Sequence, residues 1–137
     1  MINNEQLKEK VAVLGAEPQE AEALCRTIET GAYRTVVFGD VDGLKATLGS
    51  GAYLAAILDL DSIPMDNRRV RDLASSFPAT HFLAISGERF HPELQEAIRD
   101  HLFACLNKPV DPDELHYFLR CIRDNRTESR GPPDGSQ

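Results

Sequence analysis

Short apolar segments alternate with longer segments of helical spacing along most of the chain. Each apolar segment is almost continuously hydrophobic, which is typical of parallel strands covered on both faces. Five such segments have the length of a strand: Val11 to Gly15, Thr35 to Asp40, Tyr53 to Asp61, His81 to Gly87 and Phe103 to Pro109. Between and after them the spacing predicts helices at Gln19 to Thr30, Asp42 to Leu48, Asn67 to Phe77, Pro92 to His101 and Pro112 to Arg123. This alternation predicts an α/β fold with a parallel sheet and right-handed crossovers.

Length and composition fit a single globular domain. The chain has 137 residues, of which 42% are hydrophobic and 27% charged, so it can build a core. We divide it into an N-terminal extension (1–9), one domain (10–124) and a tail (125–137). The tail contains no apolar side chain, and we expect it to be flexible.

Charge and cysteine usage exclude several classes of function. The 15 Lys and Arg against 22 Asp and Glu give a net charge of -7, which argues against nucleic-acid binding through phosphate neutralisation. The apolar segments are too short to span a membrane, and the N-terminus lacks the order of a signal peptide. The three cysteines have no metal-ligand spacing and are typical of a reducing compartment. We therefore expect a cytoplasmic protein that binds neither nucleic acid nor membrane.

Three polar residues stand where apolar strands end. The third predicted strand reaches Asp59, the fourth reaches Ser86, and the fifth reaches Lys108. The carboxyl ends of parallel strands meet at one edge of a sheet, so we expect these side chains to lie close together. A carboxylate, a hydroxyl and an ammonium are the groups that phosphoryl chemistry requires, because one attacks phosphorus and the others stabilise its oxygens.

Around these residues the chain resembles the receiver domain of response regulators, over residues 10 to 124. The resemblance rests on AAILDLDSIPMDN around Asp59, FLAIS ending in Ser86, and LNKPVDPDEL around Lys108. It implies a flavodoxin-like (βα)5 sandwich of three layers, whose five-stranded parallel sheet has the order 2-1-3-4-5. It also implies that Asp59 is the phosphoacceptor and that Ser86 and Lys108 contact the phosphoryl group.

The same resemblance implies a signalling role and not an enzymatic one. A receiver belongs to a two-component or phosphorelay system, and its partners are a histidine kinase or phosphotransfer protein and an effector protein. A homodimer through the last helices is a further arrangement that the sequence leaves open. We expect contacts through the fourth helix, fifth strand and fifth helix. This output surface would include Arg89, Phe90, Glu93, Glu96, His116, Tyr117, Arg120 and Arg123.

The chain departs from the family at the end of the first strand. Gly15 and Ala16 stand where receivers carry two acidic residues that hold Mg²⁺ together with the phosphoacceptor. The remaining candidate metal ligands are Asp59, Asp61 and Glu17, and Mg²⁺ prefers six oxygen ligands in strict octahedral geometry. We therefore expect a weakened Mg²⁺ site and a module that acts through protein contacts without phosphorylation. A conventional receiver phosphorylated on Asp59 is the alternative.

Two further departures concern the switch and the loop. Cys105 stands three residues before Lys108, at a position where receivers carry a Tyr or Phe that moves with the hydroxyl. We interpret it as a buried strand residue, with a redox-sensing cysteine as the alternative. The loop from Asp59 to Pro64 has one residue more than is usual, so Asp59 and Asp61 compete for the acceptor position. The continuous apolar run before Asp59 favours Asp59.

An enzyme of another class is the remote alternative. The sequence AAILDLDSI also resembles the DxD motif of haloacid-dehalogenase-type phosphatases, in which Asp59 would attack phosphate and Asp61 would serve as acid and base. That motif normally lies on the first strand of its domain, whereas here it follows the third. Chain order therefore argues against a phosphatase.

Overall fold

The computed structural model describes residues 8–49, 52–88 and 91–129. Within them one sheet contains β1 (Glu9–Leu14), β2 (Tyr33–Phe38), β3 (Ala55–Asp59), β4 (His81–Ser86) and β5 (Ala104–Asn107). The strands lie in the order β2-β1-β3-β4-β5, and every neighbouring pair is parallel. The predicted flavodoxin-like fold and its strand order are confirmed.

The described helices are α1 (Pro18–Glu29), α2 (Val41–Leu48), α3 (Asn67–Ser76), α4 (Gln95–Asp100) and α5 (Pro112–Ser129). The predicted fourth helix is divided, because a 3₁₀ turn at Pro92–Leu94 precedes α4. The last helix extends beyond the predicted end at Arg123. Parts of the predicted extension and tail, residues 1–7 and 130–137, lie outside the described residues.

Alternate strand residues pack on opposite faces of the sheet. In β3, Ala56 and Leu58 join a core with α2, α3 and α4, whereas Ala55 and Ile57 join a second core with α1 and α5. Because both faces of the central strands β3 and β4 are covered, their interiors carry apolar side chains, and their polar residues stand at the strand ends. This explains the nearly continuous hydrophobic runs in the sequence.

Within the described ranges, no helix combines the length and apolar character that crossing a membrane requires.

Candidate functional site

The three polar residues predicted at the strand ends do meet. Asp59 is the last residue of β3, Ser86 is the last of β4, and Lys108 follows β5 directly. Lys108 Nζ lies 3.0 Å from Asp59 Oδ1. The backbone N–H of Lys108 donates to the carbonyl of Ser86 at 2.8 Å, which holds the two strand ends together. The predicted convergence is correct, while the roles assigned to these residues stay predictions.

Lys108 is surrounded by carboxylates. Its Nζ lies 3.0 Å from oxygens of Asp59, Asp61 and Glu20. The side chain of Asp59 is only 7% exposed and that of Lys108 is 23% exposed, so this pair is largely removed from water. Burial alone would lower the pKa of Lys108, but its hydrogen bonds to the three carboxylates outweigh burial and raise the pKa above its ordinary value. Lys108 is therefore a fixed cation at the centre of the acidic groups.

Asp61 turns back toward β4 and β5. Its Oδ1 accepts from Ser86 Oγ at 3.3 Å, and its Oδ2 accepts from the Gly87 N–H at 3.0 Å and from Lys108 Nζ at 3.0 Å. Its own N–H donates to Asp59 Oδ1 at 3.1 Å. Burial opposes ionisation of Asp61, but the hydrogen bonds from Lys108, Gly87 and Ser86 outweigh it and lower the pKa below its ordinary value. Asp61 is thus an ionised carboxylate with donors on both oxygens.

The loop that follows β4 is fixed by the same network. Ser86 Oγ, which donates to Asp61, accepts from the N–H of Glu88 at 3.0 Å. The carbonyl of Glu88 in turn accepts from Asn107 Nδ2 at 3.1 Å and from His91 Nε2 at 2.9 Å. A chain of hydrogen bonds therefore runs from Asp61 through the loop to the 3₁₀ turn before α4.

The β1 side of the site contributes no carboxylate from Gly15 or Ala16. Gly15 is buried, and a Cβ atom there would lie 3.6 Å from the Cβ of Asp59, which is an ordinary van der Waals contact. Position 15 therefore faces Asp59 with room for a Cβ atom. Ala16 is exposed and donates its N–H to Ser62 Oγ at 3.0 Å. Beside Gly15 lies an open cleft of about 330 Å³, whose lining includes Asp59, Lys108 and apolar residues of the strands, α1 and the segment after β5.

The residues present do not fit a Mg²⁺ site. Of the candidate ligands, Asp59 and Asp61 both contact Lys108, so an ammonium already stands where these carboxylates converge. Glu17 is the exposed N-cap residue of α1. Among the described residues, no group of three or more His, Cys, Asp or Glu side chains is arranged to hold a metal ion. Mg²⁺ prefers six oxygen ligands in near-octahedral geometry, and the carboxylates of Asp59 and Asp61, both paired with Lys108, offer few of them.

Comparison with known proteins supports the fold. No protein-family model matches the chain. No curated protein matches it either. A receiver domain (CheY-like) from Methanospirillum hungatei superposes with a TM-score of 0.78 at 12% identity, covering 89% of this chain and 98% of that one. The chain has the receiver-domain fold.

Two further solved structures share this fold. The signal receiver domain of an HD domain-containing protein from Pseudomonas fluorescens has a TM-score of 0.77 at 17% identity and covers 88% of this chain and 98% of its own. A response regulator from Thermotoga maritima has a TM-score of 0.74 at 14% identity and covers 85% and 98%. At these identities the similarity establishes the receiver fold and leaves function to be argued from the site.

Two contributors to the site were not predicted. Glu20 lies in the first turn of α1, one turn after Glu17. Its carboxylate reaches Lys108 at the carboxyl end of the sheet. An acidic residue in the first turn of the helix after β1 was the sequence feature that could have indicated this contact. The second contributor is the backbone N–H of Gly87, which no side-chain pattern could indicate.

Cys105 lies on β5 opposite Ala84 and packs against the core that contains α4. It is a free, half-buried thiol, and burial raises its pKa above the ordinary value. A protonated thiol is the less reactive form. This environment favours the interpretation of Cys105 as a packing residue of the receiver fold.

The predicted output surface needs two corrections, at His116 and at Arg123, whose guanidinium lies 5.9 Å from the centroid of the Tyr33 ring. Tyr117 on α5 is 54% exposed, in agreement with the prediction. His116 instead faces α1, where its Nε2 lies 2.8 Å from the carbonyl of Thr27 and its ring centroid lies 6.1 Å from that of Tyr33. Adjacent residues of a helix point in different directions, so His116 belongs to the α1–α5 contact. Arg89 and Phe90 lie outside the described residues.

Proposed function

We propose that this chain is a receiver-type signalling module that acts through protein contacts without phosphorylation of Asp59. The fold supports a signalling role, since the structures it resembles include receiver domains of response regulators. The single observation that carries the proposal is the position of Lys108, whose Nζ is bound by Asp59, Asp61 and Glu20 at 3.0 Å each. The partner is an effector protein that recognises the surface around α4, β5 and α5.

The electrostatics of the site oppose phosphoryl transfer to Asp59. Asp59 Oδ1 accepts from Lys108 and from the N–H of Asp61, so that oxygen is already engaged. An incoming phosphoryl donor is anionic and would approach three carboxylates balanced by one ammonium. Two like unit charges 4 Å apart repel by roughly 4 kcal/mol at an effective dielectric constant near 20. Receivers offset such repulsion with Mg²⁺, for which Gly15 and Ala16 offer no carboxylate.

A conventional receiver is the second candidate, because Asp59, Ser86 and Lys108 are all present and adjacent. The phosphatase alternative gains no support from the site. As acid and base, Asp61 would have to carry a proton during turnover, yet its contacts with Lys108, Gly87 and Ser86 lower its pKa and favour the ionised form. Asp61 is therefore a poor proton donor near neutral pH.

Intact-mass measurement after incubation with acetyl phosphate and Mg²⁺ separates these candidates. We expect no mass gain for the wild-type protein, while a conventional receiver in the same tube gains one phosphoryl group. A gain of one phosphoryl group that Asp59→Asn abolishes would contradict the proposal and support the conventional receiver. Hydrolysis of p-nitrophenyl phosphate that is lost in Asp61→Asn would support the phosphatase.

A further inference from the structure

Three hydrogen-bond donors from two separate strand ends converge on one carboxylate. The hydroxyl of Ser86 and the N–H of Gly87 come from the end of β4, and the ammonium of Lys108 comes from the end of β5. They contact Asp61 at 3.3, 3.0 and 3.0 Å respectively. Asp61 itself comes from the turn after β3. The donors are therefore fixed to the sheet, and the anion reaches them from a loop.

This donor set has the chemistry of an oxyanion-binding site. A hydroxyl, a backbone N–H and an ammonium are the groups that bind carboxylates and phosphoryl oxygens, and bonds to an ionised acceptor are about twice as strong as neutral ones. We propose that Ser86, Gly87 and Lys108 form an oxyanion-binding site that the Asp61 carboxylate of the same chain fills, in the place where a receiver would bind a phosphoryl group. Only the comparison with the phosphoryl group rests on the proposed function.

The turn after β3 explains why Asp61 and not Asp59 fills the site. The N–H of Leu60 donates to the carbonyl of Ile85 at 3.0 Å, and the N–H of Ile63 donates to the carbonyl of Asp59 at 3.0 Å. The first bond continues the pairing of β3 with β4, and the second closes a compact turn at the strand end with Asp61 in its middle. Aspartate favours such turns because its carboxylate accepts local backbone N–H groups, as Asp59 does here from Asp61.

Occupation by a covalently attached anion makes the arrangement permanent. A bound phosphate is released on hydrolysis, whereas the Asp61 carboxylate is always present at the site. Its contact with Ser86 is continued through Glu88 to Asn107 and His91, so the loop after β4 is held in one position. The surface next to this loop would then be presented to a partner constitutively.

Chemical rescue by formate tests this inference directly. Asp61→Ala removes a carboxylate and leaves a space of the size of formate. We expect the Gly87 amide proton signal of ¹⁵N-labelled protein to move upfield in Asp61→Ala, because it loses a charged acceptor. Titration with sodium formate should return this signal toward its wild-type position in a saturable way, with sodium chloride as the ionic-strength control.

Glu20→Ala is the matched control. Glu20 also contacts Lys108 at 3.0 Å, but it reaches the ammonium from α1. Removing it should leave the Gly87 signal in place, and formate should have no saturable effect there. Asp61→Asn provides a second variant of nearly unchanged volume, in which the neutral amide oxygen should give a smaller upfield shift.

Two results would overturn the inference. One is a Gly87 signal that is the same in the wild type, Asp61→Ala and Asp61→Asn. The other is a formate response of equal size in Asp61→Ala and Glu20→Ala. Neither measurement involves phosphorylation, so a failure here is distinct from a mass gain with acetyl phosphate, which would overturn the proposed function alone.

Discussion

The site has two sides that differ in how much of a receiver's chemistry they keep. On the β4 and β5 side, Ser86, the Gly87 N–H and Lys108 are all present and all bonded to Asp61. On the β1 side, Gly15 faces Asp59 without a carboxylate, and an apolar cleft opens beside it. The donors of the β4 and β5 side still bind an anion, because Asp61 of the same chain supplies a carboxylate. The β1 side adds no carboxylate to the three that Lys108 contacts, those of Asp59, Asp61 and Glu20.

Loss of Lys108 should have the largest effect on the free energy of unfolding, because Lys108 contacts three carboxylates of the site. In Lys108→Met the Asp59 carboxylate, whose side chain is 7% exposed, loses its cation. Breaking a buried pair costs roughly 3–5 kcal/mol, and the partial exposure of Lys108 places this variant near the lower end, at about 3 kcal/mol. Urea unfolding at pH 7 measures this loss. Lys45→Met, at an exposed position on α2, should change the free energy of unfolding by less than about 0.5 kcal/mol.

A double variant shows whether this loss of stability arises from the Asp59 carboxylate that is left without its cation. Lys108→Met combined with Asp59→Asn should recover most of the lost free energy of unfolding, because no isolated buried charge remains. Additive losses in the double variant would mean that Lys108 contributes by packing alone.

Restoring an acidic residue on the β1 side should have an intermediate effect. Gly15→Asp places a further carboxylate beside Asp59, at a position where a Cβ atom makes only ordinary van der Waals contacts. We expect a destabilisation of about 1 kcal/mol without metal. Added Mg²⁺ should raise the Tm of this variant but not that of the wild type.

Gly39→Asp is the control for this restoration. Gly39 follows the end of β2 as Gly15 follows β1, and a Cβ atom there has no neighbour within 4 Å. It adds the same charge away from Asp59, so Mg²⁺ should not change its Tm. Equal responses to Mg²⁺ in both variants would show that position 15 has no special relation to Asp59.

The pH dependence of stability should show the smallest effect. The pKa of folded Asp61 is lowered, so its contribution is complete above the unfolded value of about 3.9 and is lost as the pH falls through the folded value. Because its side chain is 39% exposed, we expect only about 0.5 kcal/mol at pH 7. The difference in urea midpoint between wild type and Asp61→Asn should shrink from pH 7 to pH 3. A constant difference would contradict this linkage.

What could be predicted from sequence follows from the geometry of parallel sheets. The apolar runs fix strand positions, and strand ends share one edge, so the meeting of Asp59, Ser86 and Lys108 was predictable. The orientation of Asp61 was not, because it depends on the hydrogen bonds of one turn. The Gly87 N–H has no side-chain signal. That Glu20 and not Glu17 reaches Lys108 depends on how the first turn of α1 lies over the sheet edge, which the sequence pattern does not specify.

The most direct test of the central claim is a ¹H–¹⁵N spectrum of the wild-type protein with Mg²⁺ and beryllofluoride. Beryllofluoride imitates a phosphoryl group on aspartate. Its binding needs carboxylates for Mg²⁺ on the β1 side and free donors on the β4 and β5 side. A variant carrying Gly15→Asp, Ala16→Asp and Asp61→Asn is the comparison, and it should respond at Leu60 and Gly87. We predict unchanged wild-type signals at both positions. Stoichiometric wild-type shifts there that Asp59→Asn abolishes would contradict the claim that the module acts without phosphorylation of Asp59.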